Sequence, residues 1–88
     1  MEKNMKVFEI KARAKNGNLR TVYAAVGVDD TLAEACTMDD IPMMSIISSA
    51  VTAPMTQSDA MDYAIMKTLA LRMNAGKNFV RGRVRFVS

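Results

Sequence analysis

The clearest chemical pattern in this sequence is two sets of basic side chains, each spaced by two along the chain. The first set is Lys11, Arg13 and Lys15, and the second is Arg81, Arg83 and Arg85. Side chains two residues apart on a β-strand project from the same face, about 7 Å from each other. Such a row of cations can follow the phosphates of a nucleic acid, while aromatic rings among them stack on the bases.

If both sets belong to strands of one sheet, they predict a basic sheet face with Tyr23 and Phe79 exposed among the cations. The predicted nucleic-acid-binding residues are Lys11, Arg13, Tyr23, Phe79, Arg81, Arg83 and Arg85. No helix rich in Lys and Arg is available for a major groove, so a single strand is favoured over a duplex. The same alternation is also typical of the solvated face of a one-sided antiparallel sheet.

Charge is sorted along the chain, which has a net charge of +3. Residues 1–20 carry six basic and two acidic side chains, residues 21–66 carry seven acidic and no basic ones, and residues 67–88 carry six basic and no acidic ones. Like charges placed opposite each other across strands cost roughly 0.2–1 kcal/mol per pair. Either an anionic partner or the acidic middle of the chain would relieve that cost. The acidic middle is, alternatively, a docking site for a basic partner.

The side chains of common catalytic and metal sites are scarce here. The chain contains no His and a single Cys, Cys36, which removes the usual general base and leaves too few ligands for a zinc site. The acidic residues of the middle segment lack the spacing of an EF-hand loop, and the four Gly residues form no phosphate-binding loop. We therefore predict no enzyme activity, no metal site and no cofactor.

Composition also indicates a compartment. One Cys cannot form an intrachain disulfide, and small secreted domains usually need such bonds, so we predict a cytoplasmic protein. The longest uncharged run, residues 41–58, contains two Pro and many Ser and Thr, and it predicts no membrane span. Most of the nine Met residues are expected to fill the core.

The N-terminal region predicts a β-hairpin. Residues 5–15 and 19–28 both alternate in hydropathy around Asn16-Gly17-Asn18. A two-residue loop at Asn16-Gly17 would place the two apolar sets on opposite faces of the hairpin. A three-residue loop that pairs Lys15 with Leu19 unites them, and we prefer it because the buried face normally determines register.

Further elements follow along the chain. The run Thr31-Leu32-Ala33-Glu34 has the form of a capping box and predicts a short helix to about Cys36, with a turn at Asp39-Asp40. Residues 43–53 favour a strand, with a helix as the alternative. The clearest element is a helix over residues 58–75, and residues 78–87 alternate as a strand. The large apolar residues expected to form the buried stripe of that helix are Met61, Ile65, Met66, Leu69 and Met73.

Together these patterns predict a single domain, residues 1–88, of the α+β class. An antiparallel sheet of three or four strands packs one face on the main helix, and the other face is at least partly solvated. The predicted function is that of a small non-catalytic accessory protein that binds nucleic acid through the basic sheet face. The alternative is a protein-interaction or regulatory module, such as a homodimer joined through a sheet edge or a Met-rich surface.

Overall fold

The computed structural model describes residues 2–75 and 82–86, with side chains up to residue 73. The elements along the chain are β1 (Met5–Arg13), β2 (Leu19–Gly27), α1 (Leu32–Met38), β3 (Ile46–Val51), α2 (Gln57–Ala75) and β4 (Gly82–Phe86). A 3₁₀ turn, Met43–Ser45, leads directly into β3. The prediction of a strand within residues 43–53 is confirmed, as are the two helices and the α+β class.

One sheet holds the four strands in the order β3-β1-β2-β4. The strands β2, β1 and β3 form the predicted antiparallel sheet. In contrast, β4 joins the outer edge of β2 in the parallel direction, with Gly82 opposite Thr21. The crossover through α2 makes this possible, because a parallel connection needs a long intervening segment. The sheet is therefore mixed, with a three-stranded antiparallel part.

The hairpin loop has the predicted length of three residues but lies one residue earlier than predicted. Ala14 pairs with Asn18, so that Ile10 lies opposite Val22. The loop closes where Gly17 adopts a φ of +86°, a conformation that favours glycine, and the Asn18 N–H donates to Asn16 Oδ1 at 3.0 Å. The predicted pairing of Lys15 with Leu19 is wrong by two positions. A shift of two preserves the faces, and the apolar sets are united as predicted.

The first face of the sheet is covered by α1. Phe8, Ile10, Val22 and Val26 are buried there against residues that include Ala35, Cys36 and Ile41. Thr31 caps α1 by accepting from the Glu34 N–H, as predicted. The helix ends where Asp40 takes a φ of +55° and the Ile41 N–H donates to the Cys36 carbonyl, a Schellman arrangement that turns Ile41 into the core.

The second face is covered by α2. Met5, Val7, Tyr23 and Ala25 are buried with two residues of the helix, Ala60 and Ala64. Thr56 caps this helix by accepting from the Asp59 N–H at 3.2 Å. Buried apolar clusters therefore lie on both faces of the sheet, and the α2 face is solvated near the hairpin loop, where Lys11, Arg13 and Leu19 are exposed. The main helix α2 therefore does not cover the face that carries Phe8, Ile10 and Val22, which is the face under α1.

The side of α2 that faces the sheet is the small one. Ala60, Ala64 and Thr68 are buried, whereas the predicted stripe of large apolar residues is exposed, with Met66 at 65% and Met73 at 83%. The prediction that this stripe and most Met residues fill the core is wrong. Apolar and polar residues are both distributed around this helix, so the hydrophobic periodicity that predicted the stripe is a weak guide to which side is buried. Small side chains let the helix approach the sheet closely.

Candidate functional site

The structure places Tyr23, one of the predicted nucleic-acid contacts, inside the fold. The residue is only 6% exposed, and its hydroxyl donates to Glu9 Oε2 at 2.8 Å across the hairpin. The predicted exposure of this ring is therefore wrong. Removal from water, together with the neighbouring Glu9 carboxylate, raises the pKa of Tyr23 to about 12. Tyr23 is a structural link between β1 and β2 beneath α2.

The pKa of Tyr23 gives a prediction for alkaline pH. Because its pKa is above the ordinary value of 10.0, the stabilising contribution of the neutral phenol is complete below pH 10 and is lost as pH rises towards 12. In Tyr63→Phe, where Tyr23 is the remaining tyrosine, near-ultraviolet titration should give a midpoint well above 10.0, because Tyr63 is the smallest of the causes that raise the pKa of Tyr23. Replacing Glu9 with Gln keeps an acceptor but removes its charge, so the midpoint should fall. A midpoint of 10 in both variants would contradict this account.

The first predicted set of cations is on the surface. Lys11, Arg13 and Lys15 are exposed near the hairpin loop, and Arg13 donates to the Gly17 carbonyl at 2.9 Å. Lys11 and Arg13 belong to the rows of Thr21 and Leu19 on β2. The register of β4 instead sets Arg83 beside Val22 and Arg85 beside Ala24. Successive positions along a strand belong to opposite faces of the sheet, and Val22 and Ala24 belong to the face opposite to that of Thr21 and Leu19. The backbone register therefore does not assemble the predicted single basic face. Phe79 and Arg81 lie outside the described residues.

The acidic middle of the chain neutralises part of the basic hairpin. Arg20 lies on the α1 face of the sheet, where its Nη2 is 3.6 Å from Oδ2 of Asp39, a carboxylate with no solvent exposure. Asp30 is also used internally, since its Oδ2 accepts from the Gly27 N–H at 2.8 Å. Of the two explanations for the sorted charge, internal pairing holds for Arg20. Lys11, Arg13 and Lys15 remain exposed.

The described residues show no group of three or more acidic or Cys side chains that could hold a metal ion. Cys36 is buried on α1, and burial followed by the charge of Asp39 raises the pKa of its thiol. A raised pKa lowers the thiolate fraction and therefore the reactivity of the sulfur. In the described part of the chain, no helix has the length and apolar character needed to cross a membrane.

The most unusual surface of the described residues is the outer edge of β3, which contains none of the predicted site residues. β3 is the end strand of the sheet and its sequence, Ile-Ile-Ser-Ser-Ala-Val, contains no charge and no Pro. Ile47 and Val51 are each 53% exposed. Edge strands are usually protected by charges, Pro or bulges, and of these β3 has only an irregularity beside Lys11 and Ala12. The signal in the sequence was the uncharged run over residues 41–58.

A shallow cavity of about 310 Å³ adjoins this edge on the α2 side of the sheet. It is lined by Val7, Glu9, Ala50, Val51, Thr52 and Tyr63. Glu9, on β1, therefore places a carboxylate next to β3, which itself carries no charge. Together, β3 and this cavity offer backbone hydrogen-bonding groups, exposed apolar side chains and one negative charge.

Comparison with known proteins identifies no relative of this chain. No family model matches the chain, and no curated protein or solved structure matches it significantly. The function is therefore inferred from the geometry of this chain alone.

Proposed function

We propose that this protein is a non-catalytic interaction module that binds an extended segment of a protein partner along β3. The observation that carries the proposal is an uncharged, exposed edge strand in a chain otherwise rich in charge. Strand addition at such an edge supplies main-chain hydrogen bonds, while side chains on alternate positions give specificity. Ile47 and Val51 would supply the apolar contacts.

The backbone directions in β3 support this use of the edge. The Thr52 N–H donates to the Val7 carbonyl at 3.0 Å, so Thr52 directs its backbone groups towards β1. Directions alternate along a strand, which turns the N–H and carbonyl groups of Ser49 and Val51 outwards. An incoming strand would find these groups ready for pairing. A water-exposed edge loses little when it exchanges water for such a partner, and the gain comes from the apolar side chains.

Binding of single-stranded nucleic acid stays a prediction from the sequence. The burial of Tyr23 removes one of its two predicted stacking rings, and the pairing of Arg20 with Asp39 removes one cation from the hairpin rim. The exposed cations Lys11, Arg13 and Lys15 still favour contact with anions. A stacking platform among them is missing from the described residues, and for that reason the protein partner is the better supported choice.

The proposed function predicts which peptides the protein selects. From a displayed library of eight-residue peptides, sparsely immobilised protein should enrich uncharged sequences rich in Val, Ile and Thr, because these favour the extended form. Ser49→Pro should abolish the selection, since it removes an outward N–H without removing a hydrogen bond to β1. Met66→Gln, on the exposed side of α2, is the matched control and should select the same peptides. Equal binding by Ser49→Pro would refute the proposed site.

A further inference from the structure

We infer that β3 pairs with β3 of a second copy of this chain, forming a two-fold symmetric dimer with a continuous sheet. The inference rests on the proposed function of the β3 edge and names its partner. The self-complementary character of the strand points to this occupant. Residues 41–58 carry no charge, so two copies meet along β3 without placing like charges opposite each other.

Symmetry restricts the register of such a pair. Two antiparallel strands related by a two-fold axis must place one residue opposite its own copy. With Ser49 on the axis, Ile47 of each copy lies opposite Val51 of the other, so the two exposed apolar side chains of β3 cover each other twice. The outward backbone groups of Ser49 then meet those of Ser49 in the second copy, and those of Val51 meet the backbone of Ile47 in the second copy. With Ser48 on the axis, Ile47 would instead face Ser49, and this apolar match would be lost.

The same register also matches charge. Within one copy Glu9 lies opposite Ala50, and Lys11 lies opposite Ser48. With Ser49 on the axis, Ala50 faces Ser48 of the second copy. The row therefore runs Glu9, Ala50, then Ser48 and Lys11 of the other copy, and it occurs twice by symmetry. Three strand spacings separate the charged residues, about 14 Å between their Cα atoms. Only two small side chains lie between them, so the dimer places Glu9 of each copy in one row with Lys11 of the other and sets no like charges opposite each other.

The dimer is tested first by cross-linking. In the proposed register the Ser49 Cα atoms of the two copies are about 5.5 Å apart, within the range that a disulfide needs. Under mild oxidation Ser49→Cys should form a covalent dimer of twice 9.7 kDa, while the buried Cys36 stays reduced. Ser48→Cys is the matched control and should cross-link far less. Cross-linking of Ser48→Cys in place of Ser49→Cys would overturn the register.

A charge exchange tests the pairing of Ile47 with Val51 directly. In Ile47→Lys/Val51→Lys, two like-charged pairs face each other across the interface, and dimer affinity by analytical ultracentrifugation should fall by about a hundredfold. Ile47→Glu/Val51→Glu should be impaired equally. An equimolar mixture of the two variants should form a heterodimer at the affinity of the unmodified chain or better. Circular dichroism of each variant establishes that it is folded.

The outcomes separate this inference from the proposed function. A mass of 9.7 kDa at all protein concentrations, with no Ser49→Cys dimer, would overturn the homodimer. If peptide selection still depended on Ser49 in that case, the edge would bind a different protein and the proposed function would stand. If peptide selection were also unaffected by Ser49→Pro, both proposals would fail. A heterodimer that forms no better than either charged variant alone would overturn the register.

Discussion

Arg20→Met should lower the free energy of unfolding by roughly 3 kcal/mol, because it removes a guanidinium that lies 3.6 Å from the buried carboxylate of Asp39. Domains of this size are stable by only about 5–10 kcal/mol, so the loss is a large fraction of the total. Asp39 is the C-terminal cap of α1, and its contact with Arg20 fastens the end of that helix to β2. Urea denaturation followed by circular dichroism measures the change.

The double variant Arg20→Met/Asp39→Leu distinguishes a stabilising ion pair from a buried charge that must be compensated. Replacing both members with apolar side chains should recover part of the lost stability, since neither charge of this ion pair then remains. Arg13→Met, at an exposed position on the other face, is the matched control and should change stability by no more than about 0.5 kcal/mol. If Arg20→Met lowered the free energy of unfolding no more than Arg13→Met does, the contact between Arg20 and Asp39 would contribute as little to stability as a surface ion pair.

Thiol labelling of Cys36 gives a second, local measurement of the same change. The thiol is buried in α1 and its pKa is raised by burial, so a water-soluble reagent should label it slowly in the native protein. Loosening of α1 in Arg20→Met should accelerate that labelling under conditions in which β1 and β2 remain folded. Equal labelling rates in the two proteins would show that Arg20 does not hold α1 in place.

The hairpin shows how far the sequence allows a prediction. Strict alternation in β1 and β2 predicted the two strands, and burial of one apolar face predicted a loop with an odd number of residues. The exact pairing depended on where Gly17 takes its left-handed conformation and on the side chain of Asn16, which alternation does not encode. The cap of α1 was equally predictable, since Thr31 acts through a neighbour only three residues away.

The candidate site was not predictable by the same means. Basic residues at alternate positions suggested one face, but β4 joined β2 in a register that places Arg83 and Arg85 in different rows from Lys11 and Arg13. Strand order and direction arise from how the whole chain packs, and local patterns do not contain them. The edge position of β3 was hidden for the same reason, although its lack of charge was visible in the sequence.

Substitution of Ala64 tests which side of α2 packs against the sheet, the side with the small residues Ala60 and Ala64 or the side with the large apolar residues. Ala64 has no solvent exposure and is buried with Ala60 against Val7, Tyr23 and Ala25. A leucine at this position would force the helix away from the sheet, and such overpacking costs about 1–3 kcal/mol. Ala64→Leu should therefore lower the midpoint of urea denaturation, and Ala60→Leu/Ala64→Leu should lower it further.

Ile65→Ala is the matched control, because Ile65 is adjacent on the helix but lies on its exposed side. A buried isoleucine costs about 2–5 kcal/mol when it is cut back to alanine, whereas a partly exposed one loses far less apolar burial. We expect Ile65→Ala to cost less than Ala64→Leu. The reverse order would mean that the large apolar stripe faces the sheet, as hydrophobic periodicity alone predicts. The expected order would show that close approach by small side chains, more than total hydrophobicity, determines which side of this helix is buried.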